Sequence, residues 1–164
     1  MLLILFLAAA VKDADREWKG YQKTFYAKEI KRLTEALDGA NAPEEKERLT
    51  KKLALVRAQP VRLRQLIVPG MDRYDRCTTC HLGFDPVLSP TGETDFTEQP
   101  FSARANDVHK THPVEKFGCT VCHEGQGLAT TVKAAHGPVP HWEKPLHRGA
   151  YLQASCAKCH SNLH

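Results

Sequence analysis

The chain has 164 residues, 41% of them apolar and 26% charged, and carries a net charge of +4 with histidine neutral. That length holds one modest domain with appendages, not a string of domains. So mild a positive charge gives no footing for binding nucleic acid, and no such partner is expected.

Residues 1–11, MLLILFLAAAV, are apolar and uncharged. As a helix they would span about 17 Å, roughly half a hydrocarbon core. The run has the apolar stretch of a signal peptide but no basic residue ahead of it. We expect a retained hydrophobic membrane anchor at 1–11, inserting partway or leaning on partner transmembrane helices. With no Lys or Arg before it, the charge rule for orientation is silent.

Residues 12–60 read as a helical hairpin. From Lys12 to about Asp38, Trp18, Tyr21, Phe25, Ile30, Leu33 and Leu37 recur at helical spacing among charged residues. This stripe meets either the neighbouring helix or a partner subunit, and Trp18, Tyr21 and Tyr26 also suit an aromatic belt at a membrane surface. Gly39 suits the end of the first helix, and Pro43 the first turn of the second. Leu49, Leu53 and Val56 give the second helix one apolar stripe, and Gln59-Pro60 ends it. Val61 to Val68 alternates enough for a short strand or an extended strap, and Pro69-Gly70 turns the chain.

Residues 61–164 hold the chemistry. Cys77-Thr78-Thr79-Cys80-His81, Cys119-Thr120-Val121-Cys122-His123 and Cys156-Ala157-Lys158-Cys159-His160 repeat one pattern. Each is the attachment signature of a c-type haem: two thiols bond the two vinyl groups of a porphyrin, and the next histidine meets the iron. The three motifs use all six cysteines. A disulfide framework gives no reason for a histidine after every pair. Zinc would use Cys-x-x-Cys as half a tetrahedral site, but three pairs make one and a half such sites and leave the histidines idle. We therefore expect three haem c groups as cofactors. They would form most of the core in a half poor in large aliphatics, with loops at 85–99 and 136–141. The expected fold is mainly α with much irregular structure: an anchor, an αα-hairpin, then a loop-rich trihaem cytochrome c domain.

An iron that only carries electrons needs a sixth ligand. Outside the motifs stand His109, His112, His136, His141, His147 and His164, and Met71 is the only thioether in this half. His81, His123 and His160 are the proximal set. For the distal set we select His112, His136 and His141, each stiffened by an adjacent proline, glycine or tryptophan. His147 is the substitute at the third place. His109 and His164 are read as solvated surface residues. Two histidines per iron place the potentials on the low side for c-type cytochromes.

Several segments together resemble a known group: Arg16-Glu17-Trp18-Lys19-Gly20-Tyr21-Gln22 with Phe25, Asp75 to Gly83, His112 to Gly127, His141-Trp142 and Leu152 to Cys156. The chain is similar to bacterial membrane-anchored multihaem c cytochromes that accompany quinol-oxidising cytochrome b or bc-type complexes. The resemblance implies an electron-transfer subunit of a respiratory or photosynthetic complex, not an enzyme. It implies integral-membrane cytochrome b or quinol-oxidising subunits and other cytochromes as partners. Thioether attachment is made outside the bacterial cytoplasm. Together these place the chain at the inner membrane of a bacterium, with its haem domain in the periplasm. Two alternatives stay open: an enzyme reducing a small oxyanion at a five-coordinate haem, and a structural subunit of a haem wire.

Overall fold

The computed structural model describes residues 1–92, 94–104 and 106–161. The chain divides into two compact units, Met1–Arg62 and Leu63–His164.

The first unit is helical. α1 (Leu2–Ala14) has 13 residues, about 20 Å of helix against a hydrocarbon core of about 30 Å. Among the described residues, no helix is long and apolar enough to cross a membrane. The expected hydrophobic anchor at 1–11 is corrected accordingly. Charge enters at Lys12 and Asp13 before the apolar run reaches spanning length. The assignment to the inner membrane, with a periplasmic haem domain, loses the segment it rested on and is withdrawn with it.

α2 (Glu17–Gly39) and α3 (Pro43–Arg57) pack on each other. Pro43 opens α3 where its missing N–H costs nothing, and Glu44 and Glu45 face the positive end of the helix. α2 buries Trp18, Gln22, Phe25, Tyr26, Glu29 and Leu33, recurring every three or four residues; α3 buries Leu49, Leu53 and Val56. Trp18 and Tyr26 are therefore core residues rather than a membrane-facing belt. The strap after α3 is tied back to α2. Gln22 donates from Nε2 to the Arg62 carbonyl (2.7 Å) and accepts from the Arg62 N–H (3.0 Å). Glu29, buried, takes both Arg32 (2.8 Å) and Lys52 of α3 (3.2 Å).

The second unit has little regular structure. β1 (Leu66–Val68) pairs antiparallel with β2 (Arg73–Asp75), Leu66 opposite Asp75. The strand is shorter than the expected 61–68 because Arg64 turns inward. Its guanidinium meets Asp85 at 2.8 Å, and its backbone N–H and C=O both bond the Thr79 hydroxyl at 2.9 Å. Short helices follow: α4 (Asp107–Thr111), α5 (Val114–Phe117), α6 (Thr120–His123), α7 (Val132–Ala135) and α8 (Tyr151–Ala154). The apolar side chains buried here are Val68, Leu82, Leu88, Phe101 and Ala103. Buried polar ones outnumber them: Arg64, Asp75, Thr78, Thr79, Asp85, Ser89, Thr120, Glu124 and Ser155.

Candidate functional site

The three Cys-x-x-Cys-His segments share one backbone turn despite unlike flanks. In each, the histidine N–H donates to the carbonyl of the first cysteine at 2.9 Å: His81 to Cys77, His123 to Cys119 and His160 to Cys156. The second cysteine N–H bonds the same carbonyl at 3.1 Å, 3.3 Å and 3.1 Å respectively. All six cysteines are free thiols. Such a turn gathers both cysteines and the histidine of one segment into a single turn of chain, as thioether attachment with proximal ligation requires.

Two of the motif histidines, His81 and His160, have a second imidazole beside them. The ring centres of His81 and His136 are 6.3 Å apart, and those of His160 and His112 are 5.9 Å apart. Two imidazoles on opposite sides of one metal, each nitrogen about 2 Å from it, put their ring centres about 6 Å apart. His109 interacts with His123 electrostatically. Burial, and then the charge of His123, hold the His109 imidazole below the usual histidine range. Burial, and then the His136 and His123 rings, do the same for His81.

The remaining ring nitrogens are held as supporting contacts hold ligating histidines elsewhere. His81 is hydrogen-bonded to the Pro100 backbone. His112 Nδ1 lies 2.9 Å from the Thr111 hydroxyl and 3.2 Å from the Val108 carbonyl oxygen, so Nε2 is the nitrogen these contacts do not use. His109 Nδ1 lies 2.7 Å from Asn106 Oδ1, and its ring stacks on Phe84 at 5.4 Å. The residues present thus fit a c-type haem at each motif on donor chemistry, and at the first and third on ring spacing as well.

The structure brings His136 and His112 to motif histidines, and His141 to none. His141 is exposed, at φ 65° in the turn before Trp142. His109, set aside in the sequence as a surface residue, is half-buried on α4, where it stacks on Phe84 and interacts electrostatically with His123. The Asn106 side chain accepts from the His109 N–H at 3.3 Å and caps the helix. The Asn-x-x-His spacing was the available signal. His147 straps the second motif to the third: its N–H donates to the His123 carbonyl (2.6 Å) and its Nδ1 lies 3.3 Å from Ser155 Oγ. His164 lies outside the described residues.

Two further residues join the motifs to one another. Asp75, fully buried, accepts from the Cys77 N–H (3.0 Å), the Cys119 N–H (2.7 Å) and the Thr120 N–H (2.7 Å). Lys158, inside the third motif, donates to the Val121 carbonyl (2.9 Å) and to the Glu124 carboxylate beside the second. Burial pushes the Glu124 carboxyl up, but Lys158 outweighs it and holds the group below the usual carboxylate range. A carboxylate oxygen of Asp75 and the sulfurs of Cys77 and Cys119 lie within 4.8 Å of one another. Because backbone N–H groups already occupy that carboxylate, we read the trio as a joint rather than a metal site.

Comparison with family models, with curated proteins and with solved structures finds no match to this chain.

Proposed function

We propose that this chain is a trihaem c-type cytochrome that transfers electrons and is not itself an enzyme. Cys77 and Cys80, Cys119 and Cys122, and Cys156 and Cys159 would each hold one haem, with His81, His123 and His160 as proximal ligands. The distal partners are His136, His109 and His112 respectively. When bound, haem supplies an iron that gains or loses a single electron.

The chain's own residues do the rest. Paired imidazoles would hold each iron and leave no open position for a substrate. The Pro100 contact fixes the orientation of His81, as the Thr111 and Val108 contacts fix His112. Ligation by two histidines, without a thioether, sets low potentials among c-type cytochromes. The resemblance of the segments around Trp18, Cys77 and Cys119 supports a quinol-oxidising cytochrome b or bc-type complex as donor and another cytochrome as acceptor.

The observation that carries this reading is the turn shared by all three Cys-x-x-Cys-His segments, with a second imidazole beside His81 and His160 at the spacing one metal ion requires. The test is the mass and spectrum of the protein made in a host that attaches haem c. We expect three haems that survive acid extraction, all low-spin, with no carbon monoxide bound. Fewer covalent haems would contradict the reading, and so would carbon monoxide binding to the untreated protein.

A further inference from the structure

We propose that Asp75 is a positioning residue whose carboxylate locks the first and second attachment sites side by side, making their two haems one tightly coupled pair. The inference rests on the trihaem reading above.

Asp75 closes β2, two residues before Cys77, and it reaches a motif more than forty residues away in sequence. One oxygen, Oδ1, takes the Cys77 N–H; the other, Oδ2, takes both the Cys119 and Thr120 N–H groups. The first turn of each motif thus hangs on one side chain, and the two leading sulfurs end within 4.8 Å of each other. Groups attached through those sulfurs must meet edge to edge.

The approach to Asp75 depends on a glycine. Gly118 has φ +66°, and a Cβ there would lie 3.2 Å from Asp75 Oδ2 and 3.3 Å from a Val68 methyl. An L side chain is strained at that φ and crowds the carboxylate as well. The joint is closed from the other side too. The Arg76 N–H donates to the Gly127 carbonyl (2.8 Å) and the Arg76 guanidinium to the Leu128 carbonyl (3.0 Å). A Cβ on Gly127 would collide with the Tyr74 carbonyl at 2.4 Å.

The third motif is joined differently. No shared carboxylate is seen there among the described residues: Lys158 ties it to the second motif through a flexible ammonium, His147 bridges the His123 carbonyl and Ser155, and Cys156 and Cys159 are exposed. The order along the unit is therefore first, second, third, with the rigid joint between the first two. An electron crossing that joint oxidises one iron by one charge and reduces the other, with no bond made or broken and no proton moved.

Asp75→Asn in the haem-loaded full chain is the test. The amide keeps one acceptor but turns an N–H toward donors where Oδ1 or Oδ2 had accepted. The readout is the two-signed circular dichroism couplet that close haems produce in the Soret band, read beside haem count by mass. We expect three haems in the variant, loss of the couplet, and unchanged spin states. Lys158→Met should keep the couplet. If Asp75→Asn does not load three haems, Gly118→Ala, which keeps the carboxylate, replaces it and should weaken the couplet likewise. A fully loaded Asp75→Asn or Gly118→Ala with the parent's couplet overturns the inference. So does a loaded parent without a couplet. A parent lacking three covalent haems instead overturns the trihaem reading itself.

Discussion

The two units of this chain are held together by different physics. Met1–Arg62 buries Trp18, Phe25, Tyr26, Leu33, Ala40, Leu49, Leu53 and Val56, with only Gln22 and Glu29 as polar company. It has the make-up of a helix pair that stabilises itself by removing apolar surface from water. Leu63–His164 buries more polar side chains than apolar ones. Its hydrogen bonds knit loops together, but net gains of about 1 kcal/mol per bond do not replace an apolar core. Three porphyrins, each held by two cysteine thioethers and by a histidine on its iron, would supply that missing surface. The contrast shows how burial can point to a cofactor-dependent region beside one that needs none.

The sharpest way to break this contrast is to remove a haem. Cys119→Ala with Cys122→Ala should leave two haems and abolish cooperative unfolding of the second unit, while α2 and α3 keep their helical signal. Hydrogen exchange reads both units at once. Equal protection of residues 63–161 in variant and parent would show that the chain alone carries the fold.

A smaller effect, in the opposite unit, sharpens it. Leu33 is fully buried against α3, and Leu33→Ala should cost about 2–5 kcal/mol of the first unit's stability. The visible spectrum should stay that of the parent. A shifted or bleached spectrum would tie the hairpin to haem retention.

The smallest effect is a pH dependence confined to the first unit. Burial pushes the Glu29 carboxyl up, but Arg32 and Lys52 more than offset it, leaving it below the usual carboxylate range. A carboxyl lowered in the folded state adds stability that is present above its unfolded pKa of about 4.3 and is lost as pH falls through the folded value. Acid titration of the hairpin should show loss only below about pH 4, and Glu29→Gln should flatten it. An identical acid limb in the variant would remove Glu29 from the account.

What could be read in the sequence was local. Gly39 and Pro43 stand where α2 ends and α3 begins, because cap chemistry acts over one turn. The motif turns are likewise written in five residues each. The hydrophobic start suggested an anchor by its composition although its length reaches only roughly half a hydrocarbon core, and the charges after Val11 cut the apolar run short. Rigid neighbours drew the choice to His141, yet its backbone turns the residue outward. His109 sits on α4, whose cap depends on Asn106 rather than on any proline. Asp75 was out of reach for another reason: its partners Cys119 and Thr120 are distant in sequence, and only the fold brings them to it.

The central claim is that one imidazole pair stands at each motif, with His109 serving His123. Low-temperature electron paramagnetic resonance of His109→Ala beside His141→Ala, both fully haem-loaded, tests it most directly. The account predicts that His109→Ala turns one haem of the three high-spin and open to carbon monoxide, while His141→Ala stays low-spin throughout. A high-spin haem in His141→Ala with none in His109→Ala would contradict it.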